Sequence, residues 1–318
     1  MAEKVFTADL HTHLLEKKVR PRDFWANVIA RKIDVVAITE HAEFNPEKAF
    51  EALLETKPKN VLLIPGIEMN SSIGHVLVFA PDEKVFGFPE LLEKRVKIEK
   101  IVSIAKKNGF LVSIAHPWGF SYDSAAFIAG EKRLEKIVLE NRIGVEAFNG
   151  MVGQVGNFVY NTNWVKRPLN FFEKLENNKV AKKIRLSKIG AKARKKIDEK
   201  SREVIERTAK PIILGNKAAF MTAGSDAHYA TRIGAGIMKM RLEEGIGNED
   251  FLGALSKKTG IEWIGPLTKE RNGIMEFAKL PKKRIEALQA LKYATKTWIM
   301  KKTRLKERLF GKKVARKK

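Results

Sequence analysis

The chain has 318 residues, no cysteine and a formal net charge of +24, with 44% of its residues hydrophobic. That length fits one large α/β barrel, or one domain with an appendage, and the lack of cysteine excludes disulfides and thiolate ligation, so any metal must be held by His, Asp and Glu. No apolar run approaches the roughly 18 residues that span a bilayer, and Met1-Ala2-Glu3-Lys4 leads straight into the first apolar run without room for a signal peptide, so a cytoplasmic protein with no membrane partner is expected.

Val5-Phe6-Thr7-Ala8 predicts the first strand and runs into Asp9-Leu10-His11-Thr12-His13. Alternate strand residues point the same way, so Asp9, His11 and His13 are expected on one face, with the two imidazoles placed to chelate a divalent ion. Arg20–Lys32 predicts a helix with Phe24, Trp25, Val28 and Ile29 on one face. Asp34–Thr39 is a buried-type strand with Glu40-His41 at its end. Asn45 caps a second helix that Pro46 opens. Val61–Pro65 is a third strand, ending in Gly66-Ile67-Glu68. Only Met69–Gly74 separate Glu68 from the next strand, His75–Ala80, and a parallel crossover needs a dozen residues or more. A hairpin is therefore expected, with His75 laid beside Glu68.

Pro89–Asn108 is expected as one long helix closed by Gly109, followed by the strand Phe110–Ala115 and His116-Pro117. Glu131–Asn141 predicts a helix and Gly144–Phe148 a strand ending at Asn149-Gly150. Ser187–Ala209 predicts a helix, Phe220–Ala223 a strand running into Gly224-Ser225-Asp226-Ala227-His228, Asn248–Thr259 a helix and Ile261–Ile264 a short strand. Strand and helix alternate about seven times, which argues for a (β/α) barrel.

The chain has six histidines: His11, His13, His41, His75, His116 and His228. Five follow or end a predicted strand, and the hairpin brings His75 to the same rim, where the sites of parallel barrels are built. With Glu68 and Asp226, eight metal-competent side chains converge on one pocket. One ion takes about four to six ligands, so eight imply two or three divalent ions, with Glu68 the expected bridging carboxylate.

The order of motifs resembles the PHP domain, the family named for polymerases and histidinol phosphatases, whose members show D-x-H-x-H, T-D-H, G-x-E, A-H-P, E-x-x-N and G-S-D-A-H. Here these read Asp9–His13, Thr39-Glu40-His41, Gly66-Ile67-Glu68, Ala115-His116-Pro117, Glu146–Asn149 and Gly224–His228. The resemblance spans residues 5–265. It implies a distorted seven-stranded TIM-like barrel of the PHP type, a site of two or three manganese, iron or zinc ions, and hydrolysis of phosphate esters. By motif, His11, His13, His41, Glu68, His116, Asp226 and His228 carry over as ligands. Two departures stand out. Glu40 replaces the family's Asp. Where members carry a further Asp or His, often in an S-D-G turn, this chain reads Leu14-Leu15-Glu16-Lys17-Lys18-Val19, so either Glu16 substitutes or the third ion is weakly held or absent. Asp9 is read as the orienting partner of an imidazole, and Glu146 as a supporting carboxylate. Glu40 and Arg232 make up the expected catalytic pair, Arg232 as a bidentate phosphate clamp. Trp118 and Phe120 form either an aromatic wall for a substrate ring or loop packing.

The excess charge is segregated. Residues 160–210 hold 16 Lys/Arg against 6 Asp/Glu, residues 266–318 hold 18 against 4, and the remainder balances at 27 of each. Segregation of this kind points to a polyanionic partner. The expected organisation is a barrel over 1–265 with a basic helical insertion at 160–186, then a basic helical extension over 266–318 with a disordered tail. Three functions follow: a metal-dependent phosphoesterase acting on nucleotides or nucleic acid, a phosphatase of a small metabolite such as histidinol phosphate, or a non-catalytic RNA-binding barrel. The near-complete ligand set argues against the third, and the basic segments favour the first.

Overall fold

Short apolar segments bounded by Gly, Pro and Asn alternate with amphipathic ones, and that alternation builds strands enclosed by helices. The structure, a computed structural model, describes residues 2–119, 124–153, 163–183, 186–265, 268–271 and 274–277. Nine strands form its main sheet: β1 (Glu3–Thr12), β2 (Val35–Ile38), β3 (Leu62–Ser71), β4 (Gly74–Phe79), β5 (Leu111–Ile114), β6 (Gly144–Asn149), β7 (Met221–Gly224), β8 (Ile237–Glu243) and β9 (Ile261–Gly265). They lie in the order β7-β6-β5-β4-β3-β2-β1-β8-β9. The sheet curls until the segment after β7, at one end, reaches the end of β1: the Asp226 amide donates to the His11 carbonyl at 2.8 Å and the His13 amide to the Ala227 carbonyl at 3.1 Å. The result is a nearly closed barrel.

Nine strands, not seven, is a correction. β8 pairs antiparallel with the first half of β1, from Glu3↔Glu243 to Ala8↔Met238, and β9 adds beyond it. Met238, Met240 and Leu242 are buried while Arg241 and Glu243 are exposed, the period-2 pattern of a strand covered on one face.

Helix α1 (Pro21–Ala30) buries Phe24, Trp25 and Val28 with proline in its first turn, and α2 (Pro46–Leu54) is capped by Asn45, whose side chain accepts from the Lys48 amide at 3.0 Å. The expected helix Pro89–Asn108 is broken. A 3-10 turn covers Pro89–Leu91, and α3 runs only over Ile98–Asn108. Between them the Arg95 amide donates to the Asn70 carbonyl at 2.6 Å, and Val96 accepts from the Ser72 amide at 2.8 Å. Those backbone groups are committed to the β3–β4 turn and are lost to a helix. Helices α4 (Ala125–Ala129) and α5 (Glu131–Asn141) follow β5. After β6 come the helices Asn163–Asn177, Lys179–Lys183 and Leu186–Lys217. The last contains the expected Ser187–Ala209, continues to Lys217 and carries Pro211 inside it.

Where a helical extension was expected to begin, Thr268–Arg271 and Ile274–Phe277 pair antiparallel as a two-stranded sheet. The rest of the expected basic extension and its tail, residues 278–318, lie outside the described residues. No described helix is long and apolar enough to cross a membrane. Two hydrophobic layers flank the sheet. One joins β2–β6 to α1, α2, α3 and α5 through residues such as Val36, Leu63, Val78 and Val112; the other fills the barrel with Ala8, Leu10, Ile64, Leu77 and Phe79.

Candidate metal centre

β1 and β2 pair with a register shift between Asp9 and Thr12, and strict alternation ends there. His11 and His13 face the site's carboxylates, whereas the expected pairing of Asp9 with an imidazole is not what the structure shows. Asp9 Oδ1 accepts from the Ser225 amide at 2.8 Å and Oδ2 from the Gly234 amide at 2.7 Å. It clamps the two ends of the loop that bears Asp226 and His228. Burial pushes the Asp9 carboxyl up to about 6 against the lowering effect of those bonds. Gly224 lies so close to β1 that a Cβ would collide with His11, which accounts for glycine there.

The β3–β4 hairpin pairs His75 with Asn70 across the ladder and sets His75 Nδ1 at 2.8 Å from Glu68 Oε1. Glu68 is the hub. Its carboxylate lies 3.3 Å from His11 Nε2, 3.4 Å from His13 Nε2, 3.1 Å from His41 Nδ1 and 3.1 Å from His116 Nε2. Asp226 Oδ1 lies 3.4 Å from both His13 Nε2 and His228 Nδ1, and 3.7 Å from His11 Nε2. The structure thus brings together all eight residues singled out in the sequence. His116 and Asp226 hold positive φ, 28° and 54°, a conformation that non-glycine residues adopt at a cost and that clusters at functional sites.

Around this ring stand supporting groups. Glu146 Oε1 lies 3.0 Å from His11 Nδ1, and its other oxygen accepts from the His116 amide at 2.6 Å and from Asn149 Nδ2 at 3.0 Å. Asn149 also donates to Asp226 Oδ2 at 3.2 Å. Glu40, expected to be catalytic, is engaged with the backbone: Oε2 accepts from the Leu14 amide at 2.8 Å and from the Leu15 amide, and Oε1 accepts from the His41 amide at 3.2 Å. That makes it a positioning residue for the His13–Glu16 turn. Glu16 Oε2 reaches His228 Nε2 at 2.6 Å and His41 Nε2 at 3.4 Å, so the first loop does contribute a carboxylate to the site. Arg232 is half-buried on the turn Ala230–Arg232; burial lowers the pKa of Arg31, Asp9 opposes that, and the nearby Arg232 adds a smaller lowering.

Charge is tightly shared here. Burial alone would raise Glu68 and Asp226, yet the surrounding imidazoles hold both well below the ordinary carboxylate range. Burial would lower His11 and His41, but Glu146 and Glu68 hold His11 well above its usual value, and Glu68 with Glu16 pushes His41 up to about 9. His228 is raised by Glu16 and Asp226 against burial, and His228 and His41 lower Glu16 in return.

The donor set fits divalent ions. Three groups, His13–His41–His228, His11–His13–Asp226 and His41–Glu68–His75, each offer three ligand atoms within 4.8 Å of one another. His11 Nε2, both His13 ring nitrogens and Glu68 Oε2 are buried without a hydrogen-bond partner. Such atoms cost energy unless something takes up their lone pairs, and imidazole with carboxylate suits zinc, iron and manganese.

Some neighbours were not legible beforehand. The Arg31 guanidinium donates to the Ile233 carbonyl and, at 2.9 Å, to the Thr231 carbonyl, bracing the His228 loop from about 200 residues away in sequence. A narrow cleft beside His116 is lined by Trp118, Gly119, Phe148, Asn149 and Arg207. Trp118 donates its indole N–H to Glu131 at 3.0 Å and Phe120 lies outside the described residues.

No known family's sequence profile matches the chain, and no curated protein matches it. Among solved structures it is similar to a two-domain Bacteroides vulgatus protein containing a predicted PHP-like metal-dependent phosphoesterase, at 15% identity and TM-score 0.48, covering 80% of this chain and 64% of that one. It is similar to PsfC from Pseudomonas syringae at 13% identity and TM-score 0.47, covering 94% and 98%. A third is the lesion-specific endonuclease PfuEndoQ from Pyrococcus furiosus, at 15% identity and TM-score 0.44, covering 82% and 58%. At that level of similarity the chemistry has to be read from this chain's own side chains.

Proposed function

We propose that the protein is a metal-dependent phosphoesterase of the PHP type, acting on a nucleotide or nucleic acid. One observation carries the reading: five imidazoles lie within 3.4 Å of the single carboxylate Glu68, while the sixth, His228, joins them through Asp226. His11, His13, His41, Glu68, His75, His116, Asp226 and His228 would hold the ions, two or three of manganese, iron or zinc. Ions bound there supply Lewis acidity, lowering the pKa of a water and neutralising charge that builds on phosphoryl oxygens.

This chain's residues supply the rest. Glu146 fixes the tautomer and ring orientation of His11, as supporting carboxylates do for ligating histidines, and Asn149 holds Asp226 in place. Glu40 pins the turn that follows His13. Asp9 and Arg31 fix the loop carrying Asp226 and His228. Glu16 adds a carboxylate where the motif order lacks its usual acid. Arg232 serves as a cation for the substrate phosphate, and the segregated positive charge supports a polyanionic substrate.

The test is a screen of the metal-loaded protein against mononucleotides, oligonucleotides and sugar or amino-alcohol phosphates, with Asp226→Asn as control. Metal-dependent phosphate release that the substitution abolishes is the expected result. Release from none of these substrates would sink the enzyme reading. Release from amino-alcohol phosphates alone would replace the nucleotide by a small metabolite.

A further inference from the structure

The helix Leu186–Lys217 spans 32 residues, about 48 Å at 1.5 Å per residue. Its last turns lie along the barrel wall, with Lys217 paired to Glu135 at 2.6 Å and Lys210 to Glu131 at 2.7 Å. Arg207 reaches the rim, donating to the Gly119 carbonyl at 3.1 Å just past His116. Everything N-terminal to Arg207 therefore continues beyond the rim on which the histidines stand, accompanied by the helix Asn163–Asn177. Gly190 marks the contact between the two, since a Cβ there would meet the Phe172 carbonyl at 3.2 Å.

The outward face of this arm is cationic over residues 188–195, one turn before the exposed Glu199 on the same face. At 3.6 residues per turn, Lys188, Lys192 and Lys195 fall within about 60° of one another and roughly opposite Gly190. All three are exposed. Phe171 and Ile189, 60% and 61% exposed, lie at the level of Gly190, where the two helices meet. A row of exposed cations along one helix face is the makeup of a surface that tracks the phosphates of a strand. A lipid surface would require a broad apolar face opposite the cations, and here Gly190 on that face packs against Phe172 and Leu175 of the helix Asn163–Asn177.

We propose that this arm binds the backbone of a nucleic-acid strand several nucleotides away from the scissile phosphate, which makes the substrate a polymer and not a mononucleotide. The inference rests on the phosphoesterase reading for the position of the cleaved bond. Along the helix, Lys195 and Lys188 lie about 18 and 29 Å from Arg207. At about 3.4 Å per nucleotide a strand must extend about five to nine nucleotides from the metal centre to reach them.

The test measures binding by the full chain, without added metal, to fluorescein-labelled single strands of about three and about twelve nucleotides, by anisotropy over a salt series. The longer strand is expected to bind at least tenfold tighter. Its affinity is expected to fall with salt at a steeper logarithmic slope, by about 2 for three more phosphates contacted. Lys188→Glu, Lys192→Glu and Lys195→Glu together are expected to remove that advantage. The same charge change on α3, Lys100→Glu with Lys106→Glu and Lys107→Glu, is expected to leave it, with far-UV circular dichroism confirming that both variants fold. Equal losses in the two variants, equal affinity for both strands, or tighter capture by phosphatidylserine vesicles than by the longer strand would overturn the proposal. Turnover is not read in this assay. A protein that binds through the arm but releases no phosphate therefore refutes the reaction and leaves the arm assigned.

Discussion

Glu40→Gln separates the catalytic role expected from the sequence from the positioning role its backbone contacts support. In the structure both carboxylate oxygens accept backbone amides, from Leu14 and Leu15 on one side and His41 on the other, and His13 Nδ1 lies 3.5 Å away. A glutamine keeps one oxygen for the Leu14 and Leu15 amides but turns an N–H2 towards the His41 N–H. Losing a hydrogen bond to a charged group and leaving a buried donor unpaired costs about 1.5–3 kcal/mol. Burial raises the Glu40 carboxyl, but His13 and the backbone amides together hold it below its ordinary value. A carboxylate with a depressed folded pKa contributes stability that is present above its unfolded pKa and lost as pH falls through the folded one. Wild type should therefore exceed Glu40→Gln in urea-unfolding free energy at pH 7.5, with the gap closing towards the acid end of the carboxylate range. If Glu40 only positions, kcat drops modestly, the pH–rate profile keeps both limbs, and Glu40→Asp restores part of the loss. A general acid or base would cost about 10²–10⁴-fold and remove one limb. Unchanged stability at pH 7.5 together with a lost limb would refute the positioning argument.

Glu16→Gln should reduce the number of ions bound per chain, read by elemental analysis after dialysis, because Glu16 Oε2 reaches both His228 Nε2, at 2.6 Å, and His41 Nε2, at 3.4 Å; an unchanged stoichiometry would place Glu16 outside the ligand set. Metal affinity should climb from pH 6 to about 9. His11, His41 and His228 are all raised, His41 to about 9, and must give up protons to an incoming ion. Calorimetry in buffers of differing ionisation enthalpy would read the released protons, and a flat pH dependence would contradict the charge sharing described. Phe24→Ala, at a fully buried ring of α1, should cost about 3–5 kcal/mol of stability while leaving ion stoichiometry intact, whereas Asp9→Ala should lower both stability and metal affinity through the Asp226–His228 loop.

Much of the site was legible because its spacing is local. His11 and His13 sit at the end of one strand, and the six residues Met69–Gly74 are too short for anything but a hairpin, so His75 had to lie beside Glu68. Strand ends in a parallel barrel converge, which gathers His41, His116, Asp226 and His228 from distant parts of the chain. β8 was overlooked although Ile237–Glu243 alternates buried and exposed residues, because its lysine, arginine and methionines do not form the compact apolar run of a central strand.

The sequence by itself determined which side chains meet, since element type and connection length decide which strand ends share a rim. Only the tertiary structure decided what each carboxylate does there. Asp9 clamps two amides of the loop after β7, Glu40 holds the turn after His13, Glu146 orients His11, and Glu16 reaches His228. A register shift in β1 and positive φ at His116 and Asp226 set those directions. Both arise from contacts between residues far apart in the chain, and no spacing along the sequence records them.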